Sequence, residues 1–223
     1  MEARRSYGEG CAAAHALDLV GERWALLVVR ELLLGPKRFA DLRVGIHRIS
    51  GNLLAQRLRE LENAGVLRRR TMPPPVGAQV YELTEWGRQL EPLLVHLGRW
   101  GSRSPVLPIG APMSVDSQVL ALKSLFDPDA AGDLALDAEL QLGADVFHIH
   151  VHEGRMGLSR GAPNQPSAVI RTSREVWAAL IFDRLPLADA LHAGAVHLDG
   201  DQHIVERLIG CVGPPATACQ GSP

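Results

Sequence analysis

The sequence has few cysteines, and their positions follow no regular spacing. Its 223 residues contain three, Cys11, Cys211 and Cys219. Neither the paired spacing of a structural zinc site nor the even framework of a disulfide-rich domain is present. Because disulfides are rare in the cytosol, this pattern predicts a reduced, cytoplasmic protein.

Long apolar runs and catalytic motifs are also missing. No stretch approaches the ~20 apolar residues that a membrane helix needs, and the N-terminus lacks the pattern of a cleavable signal peptide. The sequence shows no paired-carboxylate motif, nucleophile elbow or phosphate-binding loop. We therefore expect a protein that is not an enzyme, does not bind a membrane, and needs no cofactor or metal.

Charge is distributed unevenly along the chain. The formal net charge is −2, but residues 1–104 carry 16 Lys and Arg against 11 Asp and Glu, whereas residues 105–223 carry 7 against 14. Residues 36–70 alone hold nine basic and three acidic side chains. The length suits two domains of about 100 residues each. A basic first half predicts a polyanionic partner for that half only.

The most informative stretch is residues 49–67, ISGNLLAQRLRELENAGVL. Ser50 is a typical N-cap and Gly65 a typical terminating residue, which predicts a helix over about residues 51–64. Its leucines fall on one side, and a polar stripe on the other comprises Asn52, Gln56, Arg59 and Asn63. Such amides and guanidinium groups pair with base edges in a major groove. The alternative is an ordinary solvated helix face.

The preceding residues predict the rest of a helix-turn-helix. Residues 11–20 and 22–34 are helical in pattern, and Gly35-Pro36 stops the second helix. Residues 37–46 make one or two helical turns with Phe39 and Leu42 inward. A tight turn through His47 and Arg48 then leads into the polar-faced helix.

A basic hairpin follows this helix. Residues 66–71 and 79–83 have strand composition, and the proline run with Gly77 between them predicts a turn. Placed after a recognition-type helix, the hairpin is typical of a wing whose Arg68, Arg69 and Arg70 contact phosphates. The alternative is a charged edge strand that discourages aggregation.

One helix is predicted from Thr84 to about residue 102. Its apolar stripe is wider than one small domain needs: Leu90, Leu93, Leu94, Leu97 and Trp100. Such a surface favours a homodimer, the alternative being packing on the domain's own core.

Matching residues across the first hundred positions make this part similar to the HxlR family of bacterial winged-helix regulators, relatives of the MarR regulators. They are Cys11, Gly21, Trp24, Gly35-Pro36, Arg38-Phe39, Leu42, Ile49-Ser50, Leu58, Leu61, Gly65, Tyr81, Leu83-Thr84, Gly87 and Trp100. The resemblance implies a homodimer that reads a palindromic operator in double-stranded DNA with one recognition helix per half-site. Cys11 precedes Ala12, where the family usually has proline. Some relatives are thought to sense oxidants through that cysteine, but a lone cysteine is more often a small buried hydrophobe.

On this basis we assign base contacts to Asn52, Gln56 and Arg59. The residues assigned to phosphates are Arg38, Ser50, Arg57, Arg68, Arg69 and Arg70. The protein is expected to act in transcription regulation, more as a repressor than as an activator.

The second half predicts an α+β domain after a linker at residues 105–112. Strands are expected over residues 134–142, 145–152, 155–160, 168–171 and 195–198, and helices over 117–126, 173–182, 186–192 and 203–209. We expect an antiparallel sheet. His148, His150 and His152 alternate on one strand face, where neutral imidazoles can bind zinc or copper. A pH-sensitive surface strand is the favoured interpretation.

The order of these elements resembles the sterol carrier protein type 2 fold, with Thr172-Ser173, Trp177, Leu180, Leu191, Gly194 and Asp199-Gly200 at matching places. The resemblance implies a cavity for a small hydrophobic effector. Its lining would be Phe147, Ile149, Val151, Trp177, Ile181 and Leu187, which could equally be core. The predicted domains are residues 1–104 (winged helix), 113–210 (sterol-carrier-like) and a flexible tail, 211–223. Alternatively, the second domain is structural or dimerising, or a ligand carrier tethered to a DNA-binding module.

Overall fold

The chain divides into two compact units, Met1–Leu94 and Val95–Pro223. The computed structural model describes residues 6–73, 77–108 and 110–213. Among these residues no helix is long and apolar enough to span a bilayer.

The first unit is a helix-turn-helix followed by a two-stranded hairpin. Its elements are α1 (Ala12–Val20), α2 (Ala25–Leu32), α3 (Phe39–Gly45), α4 (Gly51–Asn63), β1 (Leu67–Thr71), β2 (Gln79–Leu83) and α5 (Glu85–Arg88). Helix α6 (Glu91–Gly101) contains the point at which the two units divide.

Helix α4 begins and ends where its sequence predicts. The hydroxyl of Ser50 accepts a hydrogen bond from the Leu53 backbone N–H at 3.3 Å. Gly65 has φ +73°, the left-handed conformation that glycine adopts without a Cβ clash. Leu54, Leu58 and Leu61 are 0–1% exposed and belong to a core shared with α2, α3 and β2. Burying that stripe fixes the rotation of α4 about its axis and directs the polar stripe outward.

The wing is an antiparallel hairpin in which Leu67 pairs with Leu83 and Arg69 with Tyr81. Lys37 extends this small sheet, because it exchanges two backbone hydrogen bonds with Tyr81, at 2.8 and 3.0 Å. The segment that enters α3 is thereby tied to the wing. The proline-rich turn of the hairpin lies largely outside the described residues, at 74–76.

The single helix predicted from Thr84 is wrong, since two helices, α5 and α6, occupy that stretch. Pro92 lacks a backbone N–H and cannot bond the preceding turn, so the chain breaks at Gln89 and Leu90. Helix α2 also starts later than predicted, because Trp24 has φ +79° and cannot belong to a right-handed helix.

The second unit has an α+β architecture. It contains α7 (Val115–Leu125), α8 (Pro128–Ala131), β3 (Leu136–Leu142), β4 (Asp145–His152), β5 (Arg155–Arg160), β6 (Ala168–Thr172), α9 (Arg174–Phe182), α10 (Leu187–His192), β7 (Val196–Gly200) and α11 (Gln202–Gly210). The predicted strands and the longer helices are confirmed within a few residues, whereas the short α8 was not predicted.

The five strands form one sheet in the order β5-β4-β3-β6-β7. The expectation of a fully antiparallel sheet is wrong, since β3 and β6 pair in parallel, with Leu140 opposite Ile170. Side-chain alternation reports which residues face the core but not the direction of the neighbouring strand. The sheet is therefore mixed.

The first two residues beyond α11 are buried, which differs from the flexible tail predicted to begin at residue 211. Cys211 and Val212 are 3% and 5% exposed, and Val212 forms a β-bridge with Phe126. Residues 214–223, which make up the rest of the predicted tail, lie outside the described residues.

Candidate nucleic-acid interface

The polar stripe of α4 faces outward along the whole helix. Asn52, Gln56, Arg59 and Asn63 are all exposed. The Gln56 amide donates to the Glu60 carboxylate at 3.0 Å, while Arg59 has no hydrogen bond or ion pair with any described residue. An exposed helix face with amide and guanidinium side chains has the shape and chemistry that a major groove admits.

Arg57 departs from its assignment to phosphate. It is 6% exposed, and its guanidinium lies 2.5 Å from the Glu60 carboxylate and 3.5 Å from that of Glu22. The reason is helical geometry: three residues after Leu54 and four before Leu61, position 57 falls on the inner face. We therefore correct the assignment, and Arg57 is better described as an internal ion-pair partner that anchors α4.

Residues at the starts of α3 and α4 are exposed, as a phosphate contact requires. Arg38 precedes α3 and is exposed, and its backbone N–H donates to the Asp41 carboxylate at 3.2 Å. Ser50 is exposed at the N-terminus of α4. Arg43 and Arg48 are also exposed beside them. These two were missed, although the excess of basic residues over positions 36–70 signalled them.

The wing arginines are held by carboxylates. Arg68 and Arg70 flank Glu82, with nitrogen–oxygen distances of 2.8 and 3.0 Å. Glu82 is only 6% exposed, whereas the two arginine side chains are 66% and 43% exposed. The carboxylate fixes both guanidinium groups at the surface and offsets part of their charge.

Arg69 lies on the opposite side of β1. Its guanidinium contacts Glu62 of α4 at 2.8 Å and lies over the Tyr81 ring at 5.7 Å. The Glu62 carboxylate raises the pKa of Arg69, so this group stays charged. An ion pair thus links the candidate recognition helix directly to the wing. A phosphate would have to compete with Glu62 for this arginine.

Helix α6 exposes several large apolar side chains. None of its eleven residues is buried. Leu93, Leu97 and Trp100 are 50%, 46% and 76% exposed, and their spacing places them on one side of the helix. Exposed apolar side chains grouped on one side of a helix make this surface a candidate interaction site.

Cys11 stands just before α1 and is exposed. Hydrogen bonds from the backbone of Ala14 and then Ala13 lower its thiol pKa, because N–H groups at a helix start stabilise a thiolate. Burial instead raises the pKa of Cys211. Cys11 is thus not the buried small hydrophobe of the simpler interpretation.

We expect Cys11 to react with iodoacetamide at lower pH than an ordinary cysteine. A Cys211→Ser/Cys219→Ser variant isolates Cys11, and its alkylation rate should reach half-maximum at a lower pH than that of free cysteine measured alongside it. The reason is that a lowered pKa keeps more thiolate at neutral pH. A Cys11→Ser/Cys219→Ser variant, which isolates Cys211, should react slowly and only at higher pH. Coincident profiles for the two variants would contradict this assignment.

The residues predicted to line a cavity in the second unit separate into two groups. Phe147, Ile149, Val151 and Trp177 are 0–1% exposed and lie in the core. Ile181 and Leu187 instead line a groove of about 350 Å³. The alternation of β4 predicted burial correctly but could not distinguish core from cavity wall.

Two of the β4 histidines, His148 and His150, lie in a polar cluster with Asp137. His148 Nε2 lies 2.6 Å from Asp137 Oδ1, and the His148 and His150 rings are 5.4 Å apart. His150 stands over Gly157, where a Cβ would collide with its ring. Within the described ranges no group of three or more His, Cys, Asp or Glu side chains is arranged to hold a metal.

Known proteins resemble the first part of this chain. The sequence model of the family described as HxlR-like helix-turn-helix matches residues 19–105. YdeP of Bacillus subtilis, named an uncharacterized HTH-type transcriptional regulator, is 39% identical over 98 residues, which are 43% of this chain and 74% of YdeP. The HTH-type transcriptional regulator YodB of the same organism is 35% identical over 88 residues, 40% of this chain and 79% of YodB.

YodB is also among the solved structures that align with this chain. The reduced form of YodB from B. subtilis aligns at 32% identity and a TM-score of 0.39, covering 44% of this chain and 97% of that one. The relation itself stands on the sequence matches, which span most of each relative's length. Together with the helix-turn-helix and wing described above, they establish that this chain belongs to the HxlR family of winged helix-turn-helix transcriptional regulators.

Proposed function

We propose that the protein is a homodimeric, sequence-specific DNA-binding regulator, acting as a repressor in the cytoplasm. The observation that carries this proposal is the outward polar stripe of α4 beside a wing with three surface arginines. Asn52, Gln56 and Arg59 would contact base edges, since amides pair with adenine and guanidinium with guanine.

The phosphate contacts would come from both sides of α4. On one side are Arg38 and Ser50, with Arg43 and Arg48 added on the strength of their exposure. On the other are the wing arginines, Arg68, Arg69 and Arg70. Phosphate contacts fix the position of a protein on the duplex without reading its sequence.

A second copy of the chain is the proposed occupant of the α6 surface. Leu93, Leu97 and Trp100 are exposed in the single chain, and a symmetric dimer would bury them against the same residues of its partner. Two α4 helices related by a two-fold axis would then read a palindromic operator, one half-site each.

The second unit is proposed to bind a small hydrophobic effector in a sterol-carrier-like domain. The supporting observation is the groove at Ile181 and Leu187. An effector changes operator affinity only if it binds one dimer geometry better than another. If ligand binding left operator affinity unchanged, the second unit would be a structural module or a tethered carrier.

Two single substitutions, one at Arg59 and one at Arg69, distinguish a base contact from a phosphate contact. Arg59→Ala should cost about 1–3 kcal/mol on the operator and relax selectivity at one base position. Arg69→Ala should weaken binding to all sequences by a similar factor and reduce its salt dependence. Both effects are measurable by titrating labelled operator and scrambled duplexes at several salt concentrations.

Arg155 of β5 provides a matched control, because it is an exposed arginine in the second unit. Arg155→Ala should leave both affinities unchanged. If Arg59→Ala and Arg69→Ala weakened operator and scrambled DNA equally, the assignment of Arg59 to a base would fail.

A further inference from the structure

The groove in the second unit has an apolar floor and a charged rim. Residues from the end of α9, the start of α10, α11 and the segment after α11 line it. Leu180, Ile181, Leu187 and Val212 are 1–5% exposed and make up the floor. The volume of about 350 Å³ is at the small end of the range for small-molecule sites, roughly 300–1,000 Å³. It suits a small molecule and not a helix or strand of a partner.

Arg184 stands at the rim in an unusual backbone conformation. Its φ is +56°, and it follows directly on Asp183, which ends α9. A helix commonly ends in one left-handed residue, and that residue is usually glycine because it has no Cβ to clash. Because arginine has a Cβ, it lowers the stability of the fold at this left-handed position relative to glycine. Strained positions of this kind concentrate at ligand sites.

The Arg184 guanidinium is also uncompensated. Among the described residues it is exposed and forms no ion pair, and the same holds for Arg155 of β5. The other arginines of this unit that form ion pairs do so with aspartates: Arg160, Arg171 and Arg207. Glu206, the other charged group in the lining, accepts a hydrogen bond from Gln202 at 2.8 Å. Within the part of the chain that the structure describes, the groove therefore places one arginine without an ion-pair partner beside an apolar floor.

We propose that this groove binds a small apolar molecule carrying one carboxylate, with the carboxylate on Arg184 and the apolar body over Ile181 and Leu187. A guanidinium fits a carboxylate through two parallel N–H donors. Glu206 repels every carboxylate that approaches it, so a molecule with one carboxylate directed at Arg184 fits the groove better than one with two. The inference rests on the proposed effector role of the second unit and gives that role a site and a ligand class.

Calorimetric titration of the full-length protein with octanoate and with octanol tests the proposal. The two probes share a chain and differ in the charged head. Octanoate should bind about ten-fold more tightly than octanol, as expected for a hydrogen bond between charged groups. Arg184→Gln should abolish this preference, and Glu206→Gln should strengthen octanoate binding. Arg155→Gln, a matched substitution outside the groove, should change neither.

Arg184→Gly separates binding from folding. Glycine relieves the left-handed strain, so this variant should melt no lower than the wild type and yet lose the preference for octanoate. Equal affinities of the wild type for the two probes, no binding of either, or a preference that survives Arg184→Gln or Arg184→Gly would overturn the proposal. Operator affinity measured with octanoate present tests the effector role separately. If octanoate binds through Arg184 and operator affinity does not change, the site stands and the effector role falls.

Discussion

Leu93→Glu/Leu97→Glu is expected to convert the protein to a monomer and to lower operator affinity by about a hundred- to ten-thousand-fold. The physical reason is loss of avidity: a dimer places its second α4 at the second half-site once the first is bound, and a monomer does not. Both leucines are about half exposed in the single chain, so acidic replacements cost little folding energy. Analytical ultracentrifugation and operator titration measure the two effects.

The control is an equally drastic change at an exposed apolar residue outside α6. Val106 is 84% exposed, and Val106→Glu should leave both mass and affinity unchanged. A Leu93→Glu/Leu97→Glu variant that remained dimeric would show that α6 does not form the dimer interface. A monomer with undiminished operator affinity would show that DNA binding needs only one copy.

Glu31→Ala is expected to destabilise the first unit by about 3–5 kcal/mol, the cost of leaving a buried charge without its partner. The Glu31 side chain is fully buried, with Lys37 Nζ at 2.7 Å and Arg30 Nη2 at 2.9 Å. Lys37 is itself tied to Tyr81 of the wing through its backbone, so the loss would also loosen the entry to α3. Calorimetry should show the melting transition of the first unit lowered by more than about 10 °C.

Glu62 supplies the comparison, because its ion pair with Arg69 lies at the surface. Glu62→Ala should cost less than about 1 kcal/mol. Replacing Glu31 together with its more buried partner, as Glu31→Leu/Lys37→Met, should recover most of the loss, since the remaining partner, Arg30, has a side chain that is 25% exposed and stays solvated. A Glu31→Ala protein as stable as Glu62→Ala would contradict the role assigned to the buried pair.

The sequence predicted the helix-turn-helix and wing because their signals are local. Ser50 and Gly65 mark the two ends of α4, and the leucine spacing sets its inner face. Arg57 was predicted incorrectly as a phosphate contact because its charge suggested a surface position. Its helical spacing from Leu54 already placed it on the inner face. The break between α5 and α6 was also readable, since Pro92 cannot continue a helix.

Other features depend on contacts that local patterns do not encode. The ion pairs of Glu82 with Arg68 and Arg70 depend on the register in which β1 pairs with β2, and that register is not evident from the sequence. The parallel pairing of β3 with β6 depends on the path of the chain across the sheet. The groove at Arg184 forms where α9, α10 and α11 come together, and no local pattern predicts that packing. The alternation along β4 therefore led to Phe147 and its neighbours as the predicted cavity lining.

Selection of bound sequences from a random duplex library, with purified full-length protein, tests the central claim most directly. A homodimer that reads DNA through α4 should enrich a palindrome whose half-site centres lie about 34–36 Å apart, one helical turn, or a multiple of it. Repeating the selection with Arg59→Ala should relax one symmetric pair of positions and leave the rest intact. Enrichment of no sequence, or of a single half-site without symmetry, would contradict the proposed dimeric, base-reading regulator.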